Sequence, residues 1–599
     1  MGTGITDEPE APPSPEVEGL LDLDGPAPTT GWWQRRRGLG GFLAVAGFGT
    51  PVVAYLAFIH HYGLNVITRD QWSDVDFVRI SRSGHLSFAA LWSPWSVERM
   101  FFPRLVTLFL GHTTNLNTVT EMYVSALLLF ASVALFVLAH RRRAPGTPLA
   151  YYAPVVVLCL SLTQYQNTLW GFQVAWYMVF LSLAAVLFVL DRPRVGWIGM
   201  AGAAVVAVVG SYSSFQGLII WPVGLVLLAL RRRRPAMLWA WSAGGLIAIV
   251  LYFRGLTRPG HTLYALDHPV AGVKFFFFTI GDILGATVPF LAKHGNPLVE
   301  LFGAVVFVCA LWVVVTYVRH PCEGPAALGV AMICYGLLWA VSVTISQSNA
   351  GIGGAAPSRF TLYNMLTLTG CYMALLGSPL PRRDSAPIRS AVLGSAAIVA
   401  LAGTLNGVSG GHATYVSRLD EAVATVHVAQ ATEAQLNAAE PYLGGATIRV
   451  KGPVARRLHL STFGDPQLLA SFERLGLAAG SWSTSTVQHV TPWRDVHTGQ
   501  GVRVRDDAFA PHQHLVLTEC TSGIVSSLSL GAIKRVGVYF SNRTAGSSCG
   551  PGTLVIADGQ GVLDTRFALA GAPPRTLRYL AVEDATQTQV LAAAELLYG

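Results

Sequence analysis

Long apolar runs alternate with short polar or basic joints over most of the first two thirds of the chain. The first run, 42–59, is close to the roughly 20 apolar residues that a bilayer crossing needs. Further runs lie at approximately 121–139, 151–165, 173–190, 196–213, 217–230, 236–252, 299–317, 326–345, 361–378 and 389–406. The pattern predicts an α-helical polytopic membrane bundle of about eleven spans. One more segment, 274–291, is apolar but carries Lys274 and Asp282. It is expected to lie as an interfacial or re-entrant helix on the outer face.

After residue 407 the pattern changes. Residues 408–480 mix polar and apolar positions, with helical stretches at 418–439 and 466–477. Residues 500–599 read as short strands separated by Gly, Pro and Asn turns, which suggests a β-sandwich-like part within an α+β domain. The expected organisation is therefore a disordered acidic tail (1–34), a transmembrane domain (35–406) and an extracytoplasmic domain (407–599).

Composition supports this division. The chain of 599 residues is 52% hydrophobic and only 12% charged, where soluble proteins average about 25% charged. The net charge of +8 does not point to nucleic acid, because the basic residues sit beside the apolar runs. Arg35 to Arg37, Arg141 to Arg143, Arg192, Arg194, Arg231 to Arg234, Arg319, Arg382 and Arg383 all fall on one side if the number of spans is odd. That side is cytoplasmic by the positive-inside rule. The reading is a multi-pass plasma (inner) membrane protein with a cytoplasmic amino terminus and an outer carboxy-terminal domain. Cys520 and Cys549 lie in the exported part, where an oxidising compartment permits a disulfide.

With that orientation, the polar side chains able to recognise a ligand gather on the outer side. The loop 68–104 holds Asp70, Asp74, Asp76, Glu98, Arg99 and Arg104 among Trp72, Trp92 and Trp95. Asp70 follows the first span directly. It is either a general base, a role worth about 10²–10⁴-fold in rate, or the N-cap of an interfacial helix. Asp74 and Asp76 read as solvated helix-start charges. Glu98 is either a second carboxylate or part of an interfacial anchor with Arg99 and Arg104, whose guanidinium forks suit phosphate. Arg359 opens a span from the outer side, against the positive-inside rule, so a phosphate ligand or headgroup snorkelling accounts for it. Arg254 and Lys274 are phosphate-binding candidates of the same type. Gln166, Asn167, Trp170, Gln173 and Gln216 place amides and an indole at span boundaries, where they serve sugar hydroxyls or the local backbone.

The outer acid after span one, the stretch Glu98-Arg99-Met100-Phe101-Phe102-Pro103-Arg104, then QNTLWGFQ and SSFQGLIIWPVGL, resemble the GT-C-fold integral-membrane glycosyltransferases over about residues 40–406. The resemblance implies a polyprenyl-phosphate-linked sugar donor, an inverting displacement, an extracytoplasmic active site and a cell-wall glycan or glycolipid acceptor. Many members carry two adjacent acids where this chain has Asp70-Gln71-Trp72, so no cofactor is firm and a divalent cation, Mg or Mn, stays open. Two other classes compete: a polytopic transporter or lipid/glycan flippase, and a non-catalytic glycan-binding membrane protein. A transporter is expected to break its helices around a mid-membrane polar site, whereas these polar residues sit at span ends.

Overall fold

The computed structural model describes residues 30–474, apart from breaks at 96–97, 257–263, 289–290, 292–295, 320–323, 356, 378–381 and 432, and beyond them the strands alone. Among the described residues, six helices are long and apolar enough to cross a membrane: Thr118–Arg143, Gly171–Leu190, Pro235–Phe253, Pro269–Thr287, Pro297–Arg319 and Ala326–Ala350. Trp197–Ser211 and Phe215–Leu230 are shorter apolar helices.

Their packing explains why they are apolar all round. Gly171–Leu190 and Ala326–Ala350 are each 67% buried over their most apolar stretch, whereas Pro235–Phe253 and Pro297–Arg319 are only 28% buried. Trp239, Leu246, Leu301 and Val308 of that outer pair face outward. A helix that is greasy on its exposed side is one that lipid covers. The chain is a multi-pass membrane protein. Its main core joins Phe136, Phe180, Trp339 and Tyr363 from four helices.

Three expectations are revised. The run 151–165 is no continuous span: the helix Ala153–Cys159 stops, and Ser161 caps a 3-10 turn at Leu162–Gln164. The polar residues Gln164 to Asn167 make the break there, because they engage neighbouring turns instead of lipid. The segment expected to lie in the interface belongs to the unbroken helix Pro269–Thr287, whose Gly281 packs backbone to backbone against Val299 and Gly303 of the next helix. Gly407, the expected domain boundary, is interior to one 45-residue helix, Arg382–Val426.

That helix positions the site. Beyond its apolar portion, Tyr415, Leu419 and Val423 form a second core with Leu436, Ile448 and Phe472 of the helices that follow. Leu64, Val66, Ile67, Trp72 and Val75, from the stretch after the first helix, enter the same core. Carboxy-terminal helices and the first loop thus fold as one layer. Further on, among the described residues, eight strands make two antiparallel four-stranded sheets. One runs in the order Trp493–Asp495, Gly501–Val504, Val536–Ser541, Leu554–Asp558, the other His514–Glu519, Ile524–Ser529, Arg578–Glu583, Val590–Leu596. Cys520 and Cys549 lie outside the described residues.

Candidate functional site

Where the first helix ends at Tyr62, the chain turns and enters a short 3-10 turn, Arg69–Gln71, followed by the helix Trp72–Arg82. Arg69 has φ of 51°, a left-handed conformation that a side-chain-bearing residue seldom adopts. It is held there from outside: its N–H donates to Glu440 Oε2 at 2.8 Å. The Arg69 guanidinium lies 4.1 Å from the ring centre of Tyr442 and 5.4 Å from that of Trp170. Below the turn, Gln71 Nε2 donates to the buried Glu121 Oε2 at 2.6 Å, and Trp72 Nε1 donates to Glu421 Oε1 at 3.4 Å.

This turn walls a cavity of about 220 Å³. Thr68 and Arg69 form one side, Tyr165, Gln166 and Trp170 another. Ser417, Arg418 and Glu421 of the helix Arg382–Val426, with Glu440 and Tyr442 of the turn after Glu433–Ala439, form most of the rest. Its lining is polar and aromatic together. Gln166 Oε1 and Trp170 Nε1 are both buried without a hydrogen-bond partner, one an acceptor and one a donor. Unpaired buried polar groups are costly and so mark where a ligand or water belongs. Burial and the neighbouring Glu440 push the Glu421 carboxyl well above its usual range, against the opposing Thr68 bond and Arg418 charge.

Asp70 sits beside this cavity, half-buried, and its carboxylate makes no hydrogen bond or ion pair to another described residue. It does not cap the helix behind it, whose first turn receives no side-chain cap. Burial raises the Asp70 pKa; Arg69 opposes the rise, Glu440 adds to it and Arg359 opposes it. Arg359 is thus brought within electrostatic reach of Asp70 and Arg69 from the far part of the sequence. Its carbonyl accepts from Asn167 Nδ2 at 2.7 Å, which fixes the turn, while its half-buried guanidinium hydrogen-bonds to no described residue.

The other sequence candidates divide. Glu98 is tied to Gln216 through Ser214, whose hydroxyl lies 3.0 Å from Glu98 Oε2 and also contacts Gln216 Oε1. One hydroxyl proton cannot serve two acceptors, and a protonated Glu98 resolves this. Burial indeed lifts its pKa to about 7, with the Ser214 bond opposing and Asp70 adding. Gln173 is buried, and its Oε1 has no partner.

Arg99 and Arg104, expected to bind phosphate, are spent on structure. Arg99 donates to the carbonyls of Tyr252 and Trp92, each at 2.6 Å, and to that of Arg254. Arg104 Nη1 donates to the carbonyls of Leu91 at 2.7 Å and Ser93 at 2.5 Å, ending the short helix Phe88–Trp92. Arg254 and Lys274 have exposed side chains and do not line the cavity.

Asp74 is also corrected. It is buried, not solvated, and burial lifts its pKa to about 7 against the opposing charge of Arg104. Asp76 is the solvated helix charge, paired with Lys451 at 2.9 Å. Among the described residues no three His, Cys, Asp or Glu side chains are grouped to hold a metal. Glu440 accepts backbone N–H bonds from Arg69, Tyr442 and Leu443 with its two oxygens.

Sequence reasoning missed Arg69, Arg418, Glu421, Glu440 and Tyr442. All but Arg69 lie past residue 407, in the segment assigned to a separate domain. The available signal was Arg418 and Glu421 one turn apart on a helix continuing out of an apolar run.

No family model and no curated protein matches this sequence. Among solved structures the chain is similar to the crystal structure of ArnT from Cupriavidus metallidurans bound to undecaprenyl phosphate. The two are 13% identical, with 77% of this chain and 82% of that chain covered and a TM-score of 0.36.

Proposed function

We propose that this protein is a membrane glycosyltransferase that moves a sugar from a polyprenyl-phosphate donor to a hydroxyl of a cell-envelope glycan or glycolipid, on the outer face of the membrane. One observation carries the reading. The unspent carboxylate of Asp70 lies in the field of two arginines, Arg69 and Arg359, whose guanidiniums make no hydrogen bond to a described residue, at the edge of a polar, aromatic cavity.

Each group has a role in that chemistry. Asp70 accepts the proton of the acceptor hydroxyl as it attacks the anomeric carbon; the bond from that carbon to the donor phosphate oxygen breaks, and its electron pair leaves on the phosphate. Arg359 and Arg69 stabilise the charge on the departing phosphate, a task that suits the planar guanidinium. Aromatic faces at Trp170 and Tyr442 suit the C–H face of a sugar, and hydroxyls, which both donate and accept, suit the unpaired indole N–H and amide oxygen of Trp170 and Gln166.

The test uses purified protein in lipid nanodiscs with a panel of polyprenyl-phosphate sugars and methyl glycoside acceptors. Asp70→Asn is expected to lower transfer by about 10²–10⁴-fold without changing the melting temperature by more than a few degrees. Full turnover by Asp70→Asn rejects the assignment of the base. Sugar binding by the wild type without transfer from any donor rejects the enzyme and leaves a glycan receptor, since the cavity wall itself does not include Asp70.

A further inference from the structure

Three helices lead from the candidate site to a second polar centre. Thr118–Arg143 begins near Glu121, under the Asp70 turn. Gly171–Leu190 begins beside Trp170, and Phe215–Leu230 begins with Gln216. At 1.5 Å per residue, the Glu121-to-Arg142 stretch covers about 30 Å, the thickness of a bilayer core. All three helices end in arginine-rich turns that converge.

The centre is built around Asp191, which is fully buried. Arg231 Nε donates to its Oδ1 at 2.7 Å, and Arg143 donates to its carbonyl through Nε at 2.9 Å and Nη2 at 2.6 Å. Arg142 Nη2 donates to the Phe188 carbonyl at 2.7 Å, and its guanidinium stacks 4.6 Å from the centre of that ring. Arg192 approaches the same ring at 5.6 Å. Arg233 Nη1 donates to the Pro193 carbonyl at 3.0 Å. Five guanidiniums, those of Arg142, Arg143, Arg192, Arg231 and Arg233, feel one another and a single carboxylate.

This is more than an ordinary basic loop. A loop that only orients the chain keeps its arginines in water, whereas here Arg142 Nε and Arg233 Nε are buried with no acceptor. Buried charged donors without acceptors, beside a net excess of four positive charges, call for an anionic oxygen ligand. The level of the site says which one. Trp197, 51% exposed, lies three residues after Arg194, and Trp239, 76% exposed, five residues after Arg234. Exposed tryptophans mark the headgroup layer of a bilayer. We infer that the arginine cradle around Asp191 binds the phosphate headgroup of an anionic phospholipid, at the membrane face opposite the Asp70 cavity.

The experiment uses the full chain, delipidated in a neutral detergent, with dioleoyl-phosphatidylcholine, phosphatidylglycerol or cardiolipin added back. Melting temperature and bound lipid, counted by native mass spectrometry, are the readouts. Wild type is expected to retain phosphatidylglycerol or cardiolipin and to melt higher with them, saturably, and to show neither effect with phosphatidylcholine. The double variant Arg142→Gln/Arg233→Gln is expected to need about tenfold more cardiolipin for half the rise, the loss of charge-assisted hydrogen bonds. If that variant does not fold, Arg192→Gln, an exposed position, supplies the same comparison. Equal response to neutral and anionic lipid, or unchanged half-saturation in the variant that folds, overturns the inference. So does a gain in cardiolipin binding on removal of residues 1–29, because it assigns the cradle to that acidic segment of the chain.

Discussion

The backbone N–H of Arg69 donates to the carboxylate of Glu440 at 2.8 Å. This bond joins the first turn after the first helix to the turn after Glu433–Ala439, 371 residues on, and it sets the conformation from which Asp70 projects. Asp70 is therefore not a loop residue placed by its own neighbours. Its position depends on a carboxylate contributed by a segment that lies later in the sequence.

Arg359 has a guanidinium that hydrogen-bonds to no described residue but shares the electrostatic field of Asp70 and Arg69. Replacing it with Gln removes hydrogen bonds to a charged group, worth about 1.5–3 kcal/mol each, so the expected change is a rise of about 10- to 100-fold in the KM for the lipid-phosphate sugar. Lys at this position, a point charge without the fork, should recover part of that loss. Steady-state kinetics across the donor concentration check it; an unchanged KM in Arg359→Gln removes the arginine from donor binding.

Arg99 is expected to behave oppositely. It is buried and serves three backbone carbonyls. Arg99→Gln leaves buried acceptors unpaired and is expected to cost about 1–3 kcal/mol in stability, read as a lower melting temperature, while the KM of the surviving protein stays at the wild-type value. A raised KM at unaltered stability would restore Arg99 as a ligand-binding residue.

Stability and activity should respond to pH with opposite signs. Asp74 is buried with its pKa raised from 3.8 to about 7, so between those values the folded state holds a proton that the unfolded chain has released. Its contribution to stability is complete below the unfolded value and is lost as pH rises through 7. Asp74→Asn keeps the neutral form at every pH and is expected to flatten that part of the melting profile. Activity needs Asp70 ionised, and its pKa is also raised, so transfer falls as pH drops through that raised value. A melting profile that Asp74→Asn leaves unchanged argues against its burial.

Gly171 lies against the pair that supports the Asp70 turn. A Cβ there would run into Glu121 Oε2 and come within 2.9 Å of Gln71 Nε2. Gly171→Ala is expected to break the 2.6 Å Gln71–Glu121 bond and lower transfer more than about tenfold, with a stability loss of about 1–3 kcal/mol from the unpaired groups. Measured turnover equal to wild type would show that the turn is held from the Glu440 side alone.

The sequence by itself determined the membrane character, the places where apolar runs give way to polar loops, and the candidacy of Asp70, Arg359, Gln166 and Gln216. Those follow from local composition, because lipid-facing helices must be apolar over their length and charges near them are too costly to be casual. What only the tertiary structure decided was which polar groups are already spent. Arg99, Arg104 and Arg359 are the same residue type in similar settings, yet the first two are consumed by backbone carbonyls of distant or neighbouring loops and the third is not. The same holds for Asp74 and Asp76, two positions apart on one helix, where opposite faces make one buried and the other paired with Lys451 at the surface. Hydrogen bonding and desolvation depend on what lies within a few ångströms, and the chain brings those neighbours from hundreds of residues away.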